Sequence, residues 1–130
     1  MRVLKLAMFA VLALIAACSP ADDGWTAYTP TAFAEAQSAG KPIIVHVHAP
    51  WCPTCKAQLP TLDELRKDAA LKNAVFLRVD FDTQKDFLQA HRVTSQSTVL
   101  VFSGAKEAAR SVADTDRERL RALVLSQAQG

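Results

Sequence analysis

The sequence predicts an α/β domain, a central mixed β-sheet flanked by helices on both faces. Three observations lead there. Apolar runs of strand length recur at Ile43–Val47, Val75–Val79 and Thr98–Phe102, and such runs suit strands buried on both faces. Segments with helix-start signals alternate with them. A turn at Ser103-Gly104 and a last amphipathic stretch then close the chain as a hairpin and a helix. At 130 residues the chain has room for one domain.

Residues 1–17 stand apart from the folded part. Arg2 and Lys5 precede an unbroken apolar run from Leu6 to Ala17, the pattern of a secretory signal peptide. At about 1.5 Å per residue the run is too short to cross a hydrocarbon core of about 30 Å as a helix. Its end, Ile15-Ala16-Ala17-Cys18, resembles the lipobox of bacterial lipoproteins, which implies a lipid on Cys18. An ordinary signal cleaved near Ala17 is the alternative. Ser19 after the cysteine, in place of Asp, favours the outer membrane under that family's sorting pattern. Residues 18–24 then form a short tether, and residues 25–130 form the domain. Of 15 basic and 13 acidic residues, Arg2 and Lys5 precede Cys18, so the remainder carries 13 of each. That balance, without a basic patch, excludes nucleic acid as a partner class.

Along the domain, Trp25 to Tyr28 is a short first strand. Thr29-Pro30 starts a helix, with Thr29 as N-cap and Pro30 at the first helical position. Phe33 and Ala36 face inward, and Gly40 ends it. Ile43–Val47 is the central strand, with His46 and His48 on one face because strand side chains alternate. A helix runs from about Pro53 to about Ala69, buried through Leu59, Leu62 and Leu65, with a kink expected at Pro60. Val75–Val79 is a strand, and Thr83 is expected to cap a short helix through Ala90. Thr98–Phe102 and Lys106–Val112 pair antiparallel across the Ser103-Gly104 turn. Asp114 is expected to cap the last helix, which carries Leu120, Leu123, Val124 and Gln127 at helical spacing.

The chemistry concentrates in Trp51-Cys52-Pro53-Thr54-Cys55. Thiol–disulfide exchange needs a thiolate that attacks and a second thiol that resolves the mixed disulfide. Cys52 falls at a helix N-terminus, where unpaired N–H groups and the macrodipole favour its anion. Cys55 follows one turn on, within disulfide reach. Pro53 suits the first turn, and Trp51 shields one side. A zinc site is the rival reading, but such sites usually take a second ligand pair. The sequence offers no second CxxC, and its histidines are His46, His48 and His91.

Ile43 to Lys56, IIVHVHAPWCPTCK, with Pro60, Leu62-Asp63-Glu64-Leu65 and Leu77 to Asp82, resembles the thioredoxin family over roughly Trp25 to Ala128. The resemblance implies the thioredoxin-like fold, Cys52 as nucleophile and Cys55 as resolving cysteine. It places His46 where the family has a buried acid that serves the resolving cysteine, so His46 is the candidate base. His48 stands where an aromatic often packs. Arg78 matches a lysine near that acid, and without the acid it is expected to reach solvent. Ser97 occupies the cis-proline position. A non-proline cis bond costs about 2.5–4 kcal/mol, so a trans bond, or a strained cis one, is expected before Ser97, with altered substrate docking and easier approach of a metal. Thr54 brings no charge to the nucleophile, which leans toward a reductase.

The resulting expectation is a lipid-anchored thiol–disulfide oxidoreductase on the periplasmic side of a bacterial envelope. It needs no cofactor, acts on protein disulfides and draws electrons from a membrane thiol–disulfide reductase. One alternative is a chaperone-like protein that binds copper or zinc through Cys52, Cys55 and His48. Another is an interaction protein of the same fold with little turnover. Peroxide capture fits the CxxC spacing less well.

Overall fold

The computed structural model describes residues 24–128. The signal segment, Cys18 and residues 19–23 of the tether lie outside the described residues. The order is β1 (Thr26–Ala27), α1 (Pro30–Ser38), β2 (Pro42–His48), α2 (Pro53–Arg66), β3 (Val75–Asp80), α3 (Lys85–Ala90), β4 (Thr98–Ser103), β5 (Lys106–Val112) and α4 (Arg117–Ala128). The five strands form one sheet in the order β1-β3-β2-β4-β5. β1, β3 and β2 run parallel, while β4 and β5 are antiparallel to their neighbours. The mixed sheet with β2 at its centre is the architecture expected from the sequence.

Alternation along β2 divides the core. Ile43, Val45 and Val47 point to one face, where Phe33 and Ala36 of α1 and Phe87 and Leu88 of α3 cover them. Ile44 points to the other face, against Leu62 and Leu65 of α2 and Leu120 and Val124 of α4. His46 shares that second face by period two. A buried imidazole therefore lies under α2, the helix that begins at the cysteines.

Several boundaries differ from expectation. α2 continues past Pro60 and ends at Arg66 rather than Ala69, and a 3-10 turn at Ala69–Leu71 follows, capped by Asp68. Its buried stripe is Cys55, Gln58, Thr61, Leu62 and Leu65, so Gln58 rather than Leu59 faces the sheet. Thr83 does not cap α3. Instead the Asp80 carboxylate accepts the N–H groups of Asp82 and Thr83, and Gln84 bridges Asp80 N–H and Tyr28 C=O. At α4 the cap moves two residues on. Asp116 accepts Arg119 N–H at 2.8 Å, whereas Asp114 accepts Asp116 N–H and pairs with Arg119. Both residues prefer caps, and the helix starts at the one that reaches the third helical N–H.

Candidate active site

Cys52 is the N-cap of α2, in extended geometry, and its sulfur accepts Cys55 N–H at 3.2 Å. Pro53 follows at the first helical position, where its missing N–H costs nothing. Cys52 is 2% exposed and Cys55 is 0% exposed. Both are free thiols, and they pack with Ala49 and Phe81. Trp51 is exposed, and its indole N–H donates to Asp82 Oδ2 at 2.8 Å. The indole is thus tied to Asp82, just beyond the end of β3.

Ser97 joins the two sulfurs. No cis peptide bond occurs among the described residues, so the bond before Ser97 is trans, the first of the two expected outcomes. The residue takes φ +62°, a left-handed conformation that costs a non-glycine residue about 1–2 kcal/mol. Its N–H donates to Val47 C=O at 2.8 Å, and its C=O accepts Ala113 N–H at 3.0 Å. Held so, its hydroxyl lies 3.2 Å from Cys52 Sγ and 3.0 Å from Cys55 Sγ. A hydroxyl has one hydrogen and two lone pairs. With its one hydrogen it can donate to whichever sulfur is the thiolate, while the Cys55 thiol also lies 3.8 Å from Val47 C=O, to which it donates.

This arrangement separates the two thiols. Burial raises the pKa of Cys52, but the Ser97 hydroxyl, the Cys55 thiol and the N–H groups of Cys55 and Thr54 outweigh it and leave the pKa below the usual value. The groups that lower it are all neutral donors. Cys55 is raised, chiefly by burial, against the pull of the Ser97 hydroxyl and with the neighbouring Cys52 adding to the effect. One thiol is poised to attack, and the other holds its proton until needed.

His46 is wholly buried beneath α2. Gln58 orients it. The Gln58 amide NH2 donates to Ser97 C=O at 3.1 Å and to Asp114 C=O at 2.8 Å, which leaves Oε1 facing His46 Nε2 at 3.0 Å. His46 Nε2 must then be the donor, so the neutral ring keeps its lone pair on Nδ1, a buried atom with no hydrogen-bond partner. Desolvation lowers the His46 pKa to about 4 against the pull of Gln58, with smaller contributions from His48 and Arg78. A ring nitrogen of His46, one of His48 and Cys55 Sγ lie within 4.8 Å of one another. His48 is half-buried, with its ring centroid 5.4 Å from that of His46. Arg78, expected to reach solvent, instead lies over the Trp25 ring at 5.2 Å, where guanidinium and indole attract.

The structure thus brings Cys52, Cys55 and Ser97 into contact and sets His46 beside Cys55. Gln58 was missed by the sequence reading. Its spacing of three from Cys55 places it on the buried stripe, but hydropathy alone favours the neighbouring Leu59.

Comparison with known proteins agrees with the geometry. The family model described as Thioredoxin matches residues 25–126. The chain is 32% identical over 92 residues to the thioredoxin of Chlamydia trachomatis serovar D, covering 71% of this chain and 87% of that one. It is 31% identical over 80 residues, 62% of this chain, to the bifunctional thioredoxin reductase/thioredoxin of Mycobacterium leprae, of whose length it spans 17%. A crystal structure of Trxlp from Edwardsiella tarda EIB202 superposes with a TM-score of 0.73 at 37% identity, covering 76% of this chain and 98% of that one.

Removing the Ser97 hydroxyl should make Cys52 titrate at higher pH, because the thiolate loses a donor. The pH profile of iodoacetamide alkylation in Ser97→Ala checks this. A profile that overlays the wild type would show that the hydroxyl does not hold the thiolate.

Proposed function

Because the chain belongs to the thioredoxin family, we propose that its dithiol reduces disulfides of exported proteins while the domain is tethered to the envelope through a lipid on Cys18. Family membership and the CxxC pair make the protein a thiol–disulfide oxidoreductase. The observation that carries the mechanism is the pair of sulfurs on one serine hydroxyl, with Cys52 at the helix N-terminus.

In this scheme the Cys52 thiolate attacks one sulfur of a substrate disulfide. A Cys52–substrate bond forms, and the other substrate sulfur leaves as a thiolate. Cys55 then loses its proton and attacks Cys52 Sγ. The internal disulfide closes and the second substrate sulfur departs. Two electrons pass to the substrate, and the Cys52–Cys55 pair is oxidised. The first substrate thiolate is a far stronger base than an imidazole held near 4, so it is the better acceptor for the Cys55 proton. His46, expected as that base, keeps its place beside Cys55 but is a weak competitor for the proton.

The direction of flow follows from the neutral surroundings of Cys52. A cation beside the thiolate would stabilise the dithiol form strongly and make an oxidant. The donors that lower the Cys52 pKa carry no charge, which favours a reductant. Export places the pair where disulfides persist, so it needs a supply of electrons. A membrane thiol–disulfide reductase meets that need for a carrier held at a membrane. The run ending at Cys18 and Ser19 supports the tether and favours the outer membrane on the periplasmic side.

Cys55→Ser should trap substrates as mixed disulfides on Cys52, seen as bands of higher mass that collapse with dithiothreitol. Cys52→Ser should trap none, and its insulin reduction should fall to background. If Cys52→Ser keeps half of wild-type turnover, the exchange mechanism is wrong. Cys18→Ser should move the chain from the membrane to the soluble fraction, and unchanged fractionation would remove the lipid anchor from the account.

A further inference from the structure

We propose that the reduced protein holds one Cu(I) ion between Cys55 Sγ, His46 Nδ1 and a ring nitrogen of His48. This goes beyond disulfide exchange and needs only that Cys55 be a free thiol. The sequence pointed to Cys52, Cys55 and His48 as the donors of a metal site. The structure instead gathers His46, His48 and Cys55, with donor atoms within 4.8 Å of one another. A three-coordinate ion with bonds of about 2.0–2.3 Å holds its donors about 3.5–4 Å apart. Closing the site therefore takes shifts of less than about 1 Å from each side.

The chain prepares each donor. His46 and His48 are two apart on β2 and share the face beneath α2, and α2 presents Cys55 from its first turn. The His46 lone pair is on Nδ1, buried and without a hydrogen-bond partner. Its Nε2–H is held by Gln58 Oε1 at 3.0 Å, and Gln58 is itself fixed by two backbone carbonyls. Metal-ligating histidines characteristically have this support, the far N–H given to an oxygen that sets ring and tautomer. His48 also lines a cleft of about 310 Å3 with Trp25, Arg78 and Asp80, which gives an ion a way in from solvent.

Charge and softness select the ion. One thiolate and two imidazoles suit a soft cation. Cu(I) with the Cys55 thiolate is neutral overall, whereas Zn(II) would leave a net positive charge in a buried site near Arg78. Zinc also usually takes four ligands. Binding releases the Cys55 proton to solvent and changes no oxidation state. Oxidation of Cys55 to a disulfide with Cys52 removes the thiolate, so the disulfide form cannot hold the ion at this site. A bound ion in turn blocks the resolving step.

The test is an anaerobic titration of the full reduced chain with Cu(I) against a chromogenic bis-chelator, with X-ray absorption on the loaded protein. One Cu(I) per chain is expected, with one sulfur and two nitrogens around it. Cys52→Ser should lose less than threefold in affinity. Cys55→Ser and His48→Ala should each lose at least tenfold. His48 is only half-buried, so His48→Ala tests the site even if a His46 variant fails to fold. A two-sulfur shell with His48→Ala binding as tightly as wild type would put the copper on the cysteines and overturn the proposal. Absence of Cu(I) binding, or binding of Zn(II) alone, would also overturn it. None of these results alters the turnover at Cys52 that tests exchange.

Discussion

The site depends on the backbone of Ser97. A left-handed residue at this point turns the chain into β4 and aims a side chain at the first turn of α2. Its N–H and C=O are tied to Val47, at the end of β2, and to Ala113, just beyond β5. Those bonds offset a conformational cost of about 1–2 kcal/mol. They also explain why a hydroxyl sits between the two sulfurs. Proline, with φ fixed at about −65° and no N–H, could neither take this conformation nor donate to Val47 C=O. Serine supplies a hydroxyl within reach of both sulfurs that lowers the proton affinity of each, while burial holds Cys55 above Cys52.

Behind the cysteines lies a polar network in an otherwise apolar layer. Gln58 links α2 to Ser97 C=O, to Asp114 C=O and to His46. The network is buried, and each lost partner there would cost about 1–3 kcal/mol, so the geometry of His46 and the position of Ser97 are coupled. Neutrality fits the location. A carboxylate under α2 would have to be desolvated or protonated, whereas an imidazole held near 4 stays uncharged through the working range. The network leaves one lone pair, on His46 Nδ1, that exchange does not use. This is the atom on which the proposed copper site rests.

Much of this was legible in the sequence because period and motif are local signals. The β-branched run Ile43–Val47 marks the central strand, and Thr29-Pro30 marks a helix start with little ambiguity. The WCxxC motif after such a strand identifies the nucleophile and its partner. What was not legible depends on three-dimensional neighbours. Asp114 and Asp116 are equally good caps by type, and only the turn before α4 decides between them. Leu59 outranks Gln58 on hydrophobicity, yet the buried side of α2 is set by where Cys55 must point. Arg78 is expected to reach solvent for want of the family's buried acid, and nothing in its own stretch shows that Trp25, just before the two-residue strand paired with β3, would lie beneath its guanidinium. The conformation of Ser97 belongs to the same class, since a non-glycine left-handed residue has no sequence mark.

The central claim is that Cys52 and Cys55 form an exchange-active pair whose thiolate is stabilised by neutral donors alone. The reduction potential of that pair in the full chain, measured by thiol trapping across a glutathione series, tests it most directly. A value near that of thioredoxin, about −270 mV, is the predicted result. A value near about −120 mV would mean a strongly stabilised thiolate and an oxidant, and failure to form the disulfide anywhere in the series would contradict exchange itself.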